Sequence, residues 1–338
     1  MKKKMSMVVG ALVIAAVAVA AAAGGLHSKS HKQATVTIAF LPKAVGIPYF
    51  DVAASGGRQA GKELGGKFKQ VGPTETTAPA QISWINTLTQ QRVSAIAISA
   101  NDPNALVPAL KRAMSRGVKV VSYDSDVAPA GRSVFVNQTR AKDFGVAILN
   151  SLAKQMRFKG DFAILSTTTT ATNQNTWIKF MKQELRKPKY KGMKLLKIAY
   201  GLDQDQPSYQ QAQGLLTAYP KLKGIIGLSS VALPAAARVL EAQRKAKKIV
   251  LTGGSTPNQM RKYVKDGTVK EFVLWNVKDL GYLTYYAAYD LIAGKIKGKT
   301  GETFKAGHLG TRTIRKNGEI VLGPPYVFNR SNIDKFNF

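Results

Sequence analysis

Residues 118–126 read VKVVSYDSD, an apolar run that ends in two acids one residue apart. The run at 118–121 has the pattern of a strand buried on both faces, as in a parallel sheet. Asp124 and Asp126 then fall on the loop at its carboxyl end. In open α/β sheets, ligands bind in the crevice outside those ends. Acids at i and i+2 on an extended loop can face one site together. The chain carries 50 Lys and Arg against 19 Asp and Glu, so a pair of acids at such a place stands out. From these residues alone the pair is a catalytic couple, a metal site, or a clamp for a hydroxyl-rich molecule.

Outward from this stretch the pattern is regular. Toward the N-terminus, strands are expected at 36–41, 68–71 and 95–98, with helices at 50–64, 80–91 and 103–116. Toward the C-terminus the alternation starts again. Strands are expected at 134–136, 162–165, 195–199, 224–228, 248–251 and 272–274. Helices are expected at 141–156, 174–186, 207–218, 233–246, 257–266 and 280–293. The tail, 311–328, holds short β runs broken by turns. Strands alternating with helices of this length form βαβ units and build parallel sheets. Two such series predict an α/β body of two Rossmann-like lobes with a cleft between them. The lobes are expected at 35–137 plus 276–323 and at 138–275 plus 324–338. A three-segment hinge is expected near 136–138, 274–277 and 323–326.

Residues 1–24 have the layout of a secretory signal peptide. Lys2-Lys3-Lys4 is basic, an Ala/Val-rich apolar stretch follows, and Ala21-Ala22-Ala23 offers a small-residue exit. A polar, basic linker, 25–34, leads into the first strand. With no cysteine in the sequence there is no disulfide, thiolate metal site or Cys nucleophile, nor the Cys that a lipid anchor needs. The expectation is export to the periplasm, with the signal cleaved. The net charge of +31 is spread along the chain, with clusters at 186–194 and 244–248. Neither cluster interleaves aromatics beyond Tyr190, so the charge reads as solvated surface and not as a nucleic-acid stripe.

Polar clusters recur after strands. Lys43 follows the first, ahead of GIPYF at 46–50; TNQNTW occupies 172–177, SSVALPAA 229–236 and GGSTP 253–257. Any one of these serves as an ordinary helix cap. Their recurrence at strand ends in both lobes is what makes a site. An enzyme reading has a specific form: strand then Asp-x-Asp resembles motif one of the haloacid-dehalogenase phosphatases, where the acids supply a nucleophile and hold Mg²⁺. That chemistry needs partner acids after a later strand, and the later clusters just named carry none. Only three His occur, two of them at 27 and 31, which disfavours a His triad or a zinc site. GGSTPN lacks the P-loop spacing. The expectation is a binding protein, not an enzyme, with no cofactor and no metal.

The motifs FLPKAVGIPYF, GKELG, GPTE, PALKRAMSRGVKVVSYDSD, VNQ, NQNTW, AYPKLKGII, ALPAAA, STPNQMRKYV, DGTVKEFVLW and NIDKF, co-linear from about residue 36 onward, resemble the periplasmic autoinducer-2-binding and rhamnose-binding proteins of ABC importers. The resemblance implies the type I periplasmic binding protein fold. It also implies that Lys43, Asp124, Gln174 and the backbone at Pro234 and Ala236 hold a ligand. Asn173 stands where the autoinducer-binding members carry Asp. Tyr49, Phe50 and Trp275 are candidate apolar faces for a ring or methyl group. Asp126 is counted with the ligand set, its expected part being to orient the loop. The Lys and Asp would give a neutral polyol charge-assisted hydrogen bonds.

The implied function is capture of a small polyhydroxylated ligand and its delivery to an ABC permease and ATPase. Autoinducer-2, a quorum-sensing signal, is the first choice of ligand, and an aldose such as rhamnose the alternative. A ligand-sensing module for a membrane kinase is a further alternative. The chain is expected to be a monomer that meets the membrane only through the permease and binds no nucleic acid.

Overall fold

The computed structural model describes residues 35–338. The signal-peptide and linker assignments, 1–24 and 25–34, lie outside the described residues. The chain opens with β1 (Thr37–Leu41), α1 (Pro48–Glu63), β2 (Lys67–Gln70), α2 (Ala78–Gln90), β3 (Ala95–Ile98), α3 (Val107–Ser115), β4 (Lys119–Tyr123) and β5 (Val134–Asn137). Then come α4 (Ala141–Gln155), β6 (Lys159–Ser166), α5 (Thr172–Glu184), β7 (Gly192–Tyr200), α6 (Asp205–Ala218), β8 (Gly224–Gly227), α7 (Ala232–Ala242), β9 (Val250–Gly253), α8 (Pro257–Lys265) and β10 (Glu271–Leu274). The last part holds α9 (Val277–Ile292), β11 (Thr303–Lys305), β12 (Thr311–Thr313), β13 (Glu319–Val321) and β14 (Tyr326–Asn329).

The first lobe is built on a six-stranded sheet in the order β13-β5-β4-β3-β1-β2, and the second on a four-stranded sheet in the order β7-β6-β8-β9. Every pair within these two sheets is parallel. An antiparallel pair, β10 with β14, adjoins the second lobe, and β11 with β12 forms a hairpin. The fold is α/β with parallel sheets, that of a type I periplasmic binding protein. The chain passes from the first sheet to the second after β5 and returns after β10 into α9, which packs on α1 and the first sheet. It passes over once more between β13 and β14.

Side-chain alternation explains why the inner strands look uniformly apolar. Ile38 and Phe40 of β1 enter one core cluster while Ala39 and Leu41 enter the other. The same split separates Ala95 and Ala97 from Ile96 and Ile98 in β3, and Val121 from Val120 in β4. With helices on both faces, successive residues are buried in opposite directions, and no polar face is left.

Helix starts depart from the expectation by three residues or more in two places. The α3 helix begins at Val107, because Asp102 Oδ1 accepts the backbone N–H groups of Asn104 and Ala105, each at 2.8 Å, and holds that segment as a turn. The α9 helix begins at Val277, three residues early, because Asn276 caps it by accepting the Asp279 N–H at 3.1 Å.

Candidate functional site

Parallel pairing lines up the carboxyl ends of β1, β3 and β4. The register Ile98↔Ser122 sets Ser99 and Asp124 just beyond the same edge. Facing them are the ends of β6, β7, β8 and β9, and the two edges bound a narrow cavity of about 40 Å³. Its polar floor is Lys43, Asp124, Asn173 and Gln174, with Asp203 and Ser229 to the side. Its apolar wall is Tyr49, Phe50, Phe144, Trp177 and Trp275.

Asp124 sits at φ 58°, in the left-handed region where Asp is more tolerated than most residues but still strained. That backbone turn aims the carboxylate inward. Oδ1 accepts from Tyr49 OH at 3.1 Å and from Asn173 Nδ2 at 3.2 Å, and Oδ2 accepts from Ser99 Oγ at 2.7 Å. The Lys43 ammonium lies 4.0 Å from Oδ2, with both side chains almost sealed. Burial, and then the Asp124 charge, push the Tyr49 phenol well above its ordinary range. Tyr49 therefore remains a neutral donor, and Trp275 Nε1 donates in turn to its oxygen at 3.1 Å.

Lys43 Nζ has one hydrogen-bond acceptor among the described residues, Asn173 Oδ1 at 3.3 Å. An ammonium carries three donors, so two remain for a guest. Asn173, at the start of α5, joins the lobes: its amide oxygen takes Lys43, its amide nitrogen serves Asp124, and its oxygen also accepts the Gln174 N–H at 2.8 Å. Gln174 lines the cavity, but its amide ties strand ends together. It accepts from Ser166 Oγ and Thr167 N and donates to the Leu228 carbonyl. Buried amides also hold the Lys43 loop in place. Gln81 donates to the Pro42 and Ser99 carbonyls, and Asn101 donates to the Lys43 carbonyl.

The aromatic wall is a chain of edge contacts. Tyr49 and Trp275 stand at 90° with centroids 6.1 Å apart, and Phe144 lies 4.6 Å from Trp177 and 4.9 Å from Trp275. Tyr49, Phe50 and Trp275, named from sequence, all reach the cavity. Phe144 and Trp177 do so as well and were not among the residues named.

Three of the expected residues lie elsewhere. Asp126 does not line the cavity; its carboxylate grips Arg132 through Nε at 2.6 Å and Nη2 at 2.7 Å and takes Ser122 Oγ at 2.5 Å. Arg132 then donates to the Asn317 carbonyl, tying the β4 loop to the approach to β13. Pro234 and Ala236 are buried inside α7, where the backbone groups of interior residues are engaged by the helix itself. The part of that segment on the cavity is Leu228, Ser229 and Ser230. Ser229 Oγ accepts the N–H groups of Val231 and Ala232, so the capping residue and the cavity residue are the same.

Asp203, between β7 and α6, lines the cavity too. It is an acid after a later strand, overlooked because GLDQDQ reads as a plain helix-entry loop; its position just beyond the carboxyl end of a parallel strand was the available signal. Among the described residues, Asp124 and Asp203 form no group of three or more acids or His that could hold a metal.

The family model described as periplasmic binding protein domain matches residues 38–296. The structure is similar to that of a sugar ABC transporter from Actinomyces odontolyticus, 45% identical, with 89% of this chain and 97% of that chain covered and a TM-score of 0.72. It is also similar to an ABC transporter solute binding protein from Clostridium phytofermentas with bound L-rhamnose, 36% identical over 89% of this chain and 98% of that chain, TM-score 0.86. LsrB from Clostridium saccharobutylicum in complex with AI-2 shares the fold at 24% identity, with 90% of this chain and 100% of that chain covered and a TM-score of 0.85.

Proposed function

This chain belongs to the periplasmic binding protein family, as a solute-binding protein of the sugar ABC transporter kind, and from that premise we propose that its ligand is a neutral 6-deoxyaldose of the L-rhamnose type. The observation that carries the reading is the mixed polar and aromatic lining of the cavity. Lys43, Asp124 and Asn173 give it charged and amide groups, and five aromatic rings give it apolar surface beside them. A sugar with hydroxyls on one side and a methyl group on the other matches both. Lys43 offers its free donors to hydroxyl or ring oxygens, and Asp124 accepts a hydroxyl hydrogen. The methyl and the C–H face pack on Trp177 and Trp275. The 36% identical relative with bound L-rhamnose supports this choice over autoinducer-2, whose receptor is similar in fold alone. Asn173 supports it as well, since an amide both accepts and donates where a carboxylate only accepts.

Two calorimetric titrations on wild type decide the ligand, one with L-rhamnose and one with autoinducer-2. Micromolar or tighter binding of L-rhamnose alone is the expected result; binding of autoinducer-2 alone, or of neither, overturns the choice. Asn173→Asp is expected to weaken L-rhamnose, and a gain of autoinducer-2 would mark this residue as the selector.

The reading includes delivery to an ABC permease and ATPase by a monomer, in the periplasm to which residues 1–24 would direct it. It also includes closure. Residues 35–137 plus 276–323 and residues 138–275 plus 324–338 would move as two lobes about the three crossings. Contacts to both lobes exist only when they are closed, so ligand shifts the population toward that state. Small-angle scattering should record compaction on adding saturating sugar. Identical dimensions with and without it would argue against a clamp.

A further inference from the structure

We propose that Asp203 is a further sugar-binding carboxylate and that, with its neighbour Leu202, it couples recognition of a ligand hydroxyl to locking of the cleft. The proposal rests on the reading of the cavity as a sugar site. Residues 201–204 bridge β7, the edge strand of the second sheet, to α6. The bridge is pinned at its base, where Gly201 N–H donates to the Ser166 carbonyl and Leu202 N–H to the Thr167 carbonyl, each at 2.9 Å. Ser208 leaves no room for a side chain at position 201.

Above that base the backbone does something uncommon. Leu202 and Asp203 both adopt left-handed φ values, 56° and 55°. Two successive non-glycine residues in that region are strained. Packing does not explain the pose, because the Leu202 side chain is among the exposed large apolar groups. The consequences of the pose lie in two directions. The Leu202 carbonyl is turned toward the first lobe, where Thr76 Oγ1 donates to it at 2.7 Å across the cleft. The Asp203 carboxyl is turned into the cavity, where its Oδ1 is sealed from solvent and has no hydrogen-bond partner among the described residues.

A sealed acceptor without a donor is a place where a ligand O–H fits. The surrounding charges agree with a neutral guest. Asp203 faces Lys43 and Asp124 from the first lobe and Ser229 from its own. Burial raises its pKa above the ordinary carboxylate value; the Lys43 ammonium and the Ser229 hydroxyl oppose that shift, and the Asp124 charge adds to it. A donated hydroxyl hydrogen would relieve the desolvated carboxylate without adding charge. The ligand class is thereby narrowed to polyols that place separate hydroxyls at Asp124 and at Asp203, on opposite lobes.

The test follows the fluorescence of Trp177 and Trp275 during titration with L-rhamnose, D-ribose and autoinducer-2. For whichever of these wild type binds, Asp203→Ala is expected to weaken affinity by about tenfold or more, the loss of one hydrogen bond to a charged group. Thr76→Val, which removes the cross-cleft donor and touches no ligand, is expected to speed ligand release without changing which compound is preferred. A second readout separates recognition from mere structure. With its folded pKa raised, Asp203 holds a proton that the unfolded chain has given up, so it destabilises the empty protein progressively as pH rises through that window. Asp203→Asn should therefore raise the melting temperature of the ligand-free protein at neutral pH while still weakening binding. Unchanged affinity in Asp203→Ala, beside a wild type that binds, overturns this proposal alone. A wild type that binds none of the three compounds overturns both the sugar reading and this one.

Discussion

Lys43→Met is expected to weaken sugar binding by about 2 kcal/mol or more, the lower end of the range for removing one member of a buried charge pair at an interface. Met keeps most of the stem length, so the change removes the ammonium and little packing. The Lys43 nitrogen has a single acceptor, Asn173 Oδ1, and Asp124 as counter-charge at 4.0 Å. Its remaining donors are the strongest that the cavity can offer to neutral oxygens. The Asp124 carboxylate would keep three donors, from Tyr49, Ser99 and Asn173, so the fold should survive the loss of its counter-charge. Asp126→Asn is the comparison. It weakens the pair with Arg132, which is nearly sealed, and should lower the melting temperature while leaving affinity near that of wild type. Calorimetry with L-rhamnose on the two variants checks this. Equal losses would move the ligand toward the Arg132 side of the loop.

Gly281→Val is expected to cost at least about 3 kcal/mol of stability, at or above the upper end of the usual range for overpacking. The helices α1 and α9 cross with backbone nearly touching backbone. A Cβ at position 281 would lie 1.7 Å from the Ala53 carbonyl oxygen, and one at position 56 would lie 1.8 Å from that of Lys278. Both obstacles are main-chain atoms within helices, so no side chain can swing aside. The helices would have to separate, and α9 would withdraw Leu280, Leu283 and Tyr285 from the core that they fill. Gly214 on α6 provides the contrast, since a Cβ there meets nothing within 4 Å. Gly214→Ala should be neutral or stabilising by up to about 1 kcal/mol, through helix propensity and a less flexible unfolded chain. Urea denaturation reads both variants. A midpoint for Gly281→Val equal to that of wild type would mean that the crossing is looser than its geometry implies.

Much of the architecture was legible because it follows from local rules. Strands such as AIAI at 95–98 and helices such as 141–155 announce themselves through runs and periods that involve neighbours in the chain alone. The clusters that hold Lys43, Asp124, Asn173 and Gln174 could be picked out because the carboxyl end of a parallel strand is where such folds bind, and the family resemblance singled out the residues within them. The α1–α9 crossing was not foreseen, although GG at 56–57 and Gly281 are plain in the sequence, because nothing local says which helix each glycine faces.

What each polar side chain does was decided by the tertiary structure. Asp124 and Asp126 belong to one Asp-Ser-Asp segment, yet one faces the cavity and the other is captured by Arg132. That choice depends on Tyr49, Ser99 and Asn173, which arrive from other elements. Pro234 and Ala236 lie within α7, and Leu228, Ser229 and Ser230 are the residues of that segment on the cavity. Asp203 escaped notice because the left-handed backbone at 202–203 that directs it is held by the end of β6 and by Thr76, which are distant in sequence. Burial pattern and helix capping are settled within a few residues of chain, and so the sequence by itself determined the two-lobed α/β plan. A hydrogen bond is settled by whichever donor and acceptor meet in space, and here the donors to one carboxylate come from positions 49, 99 and 173.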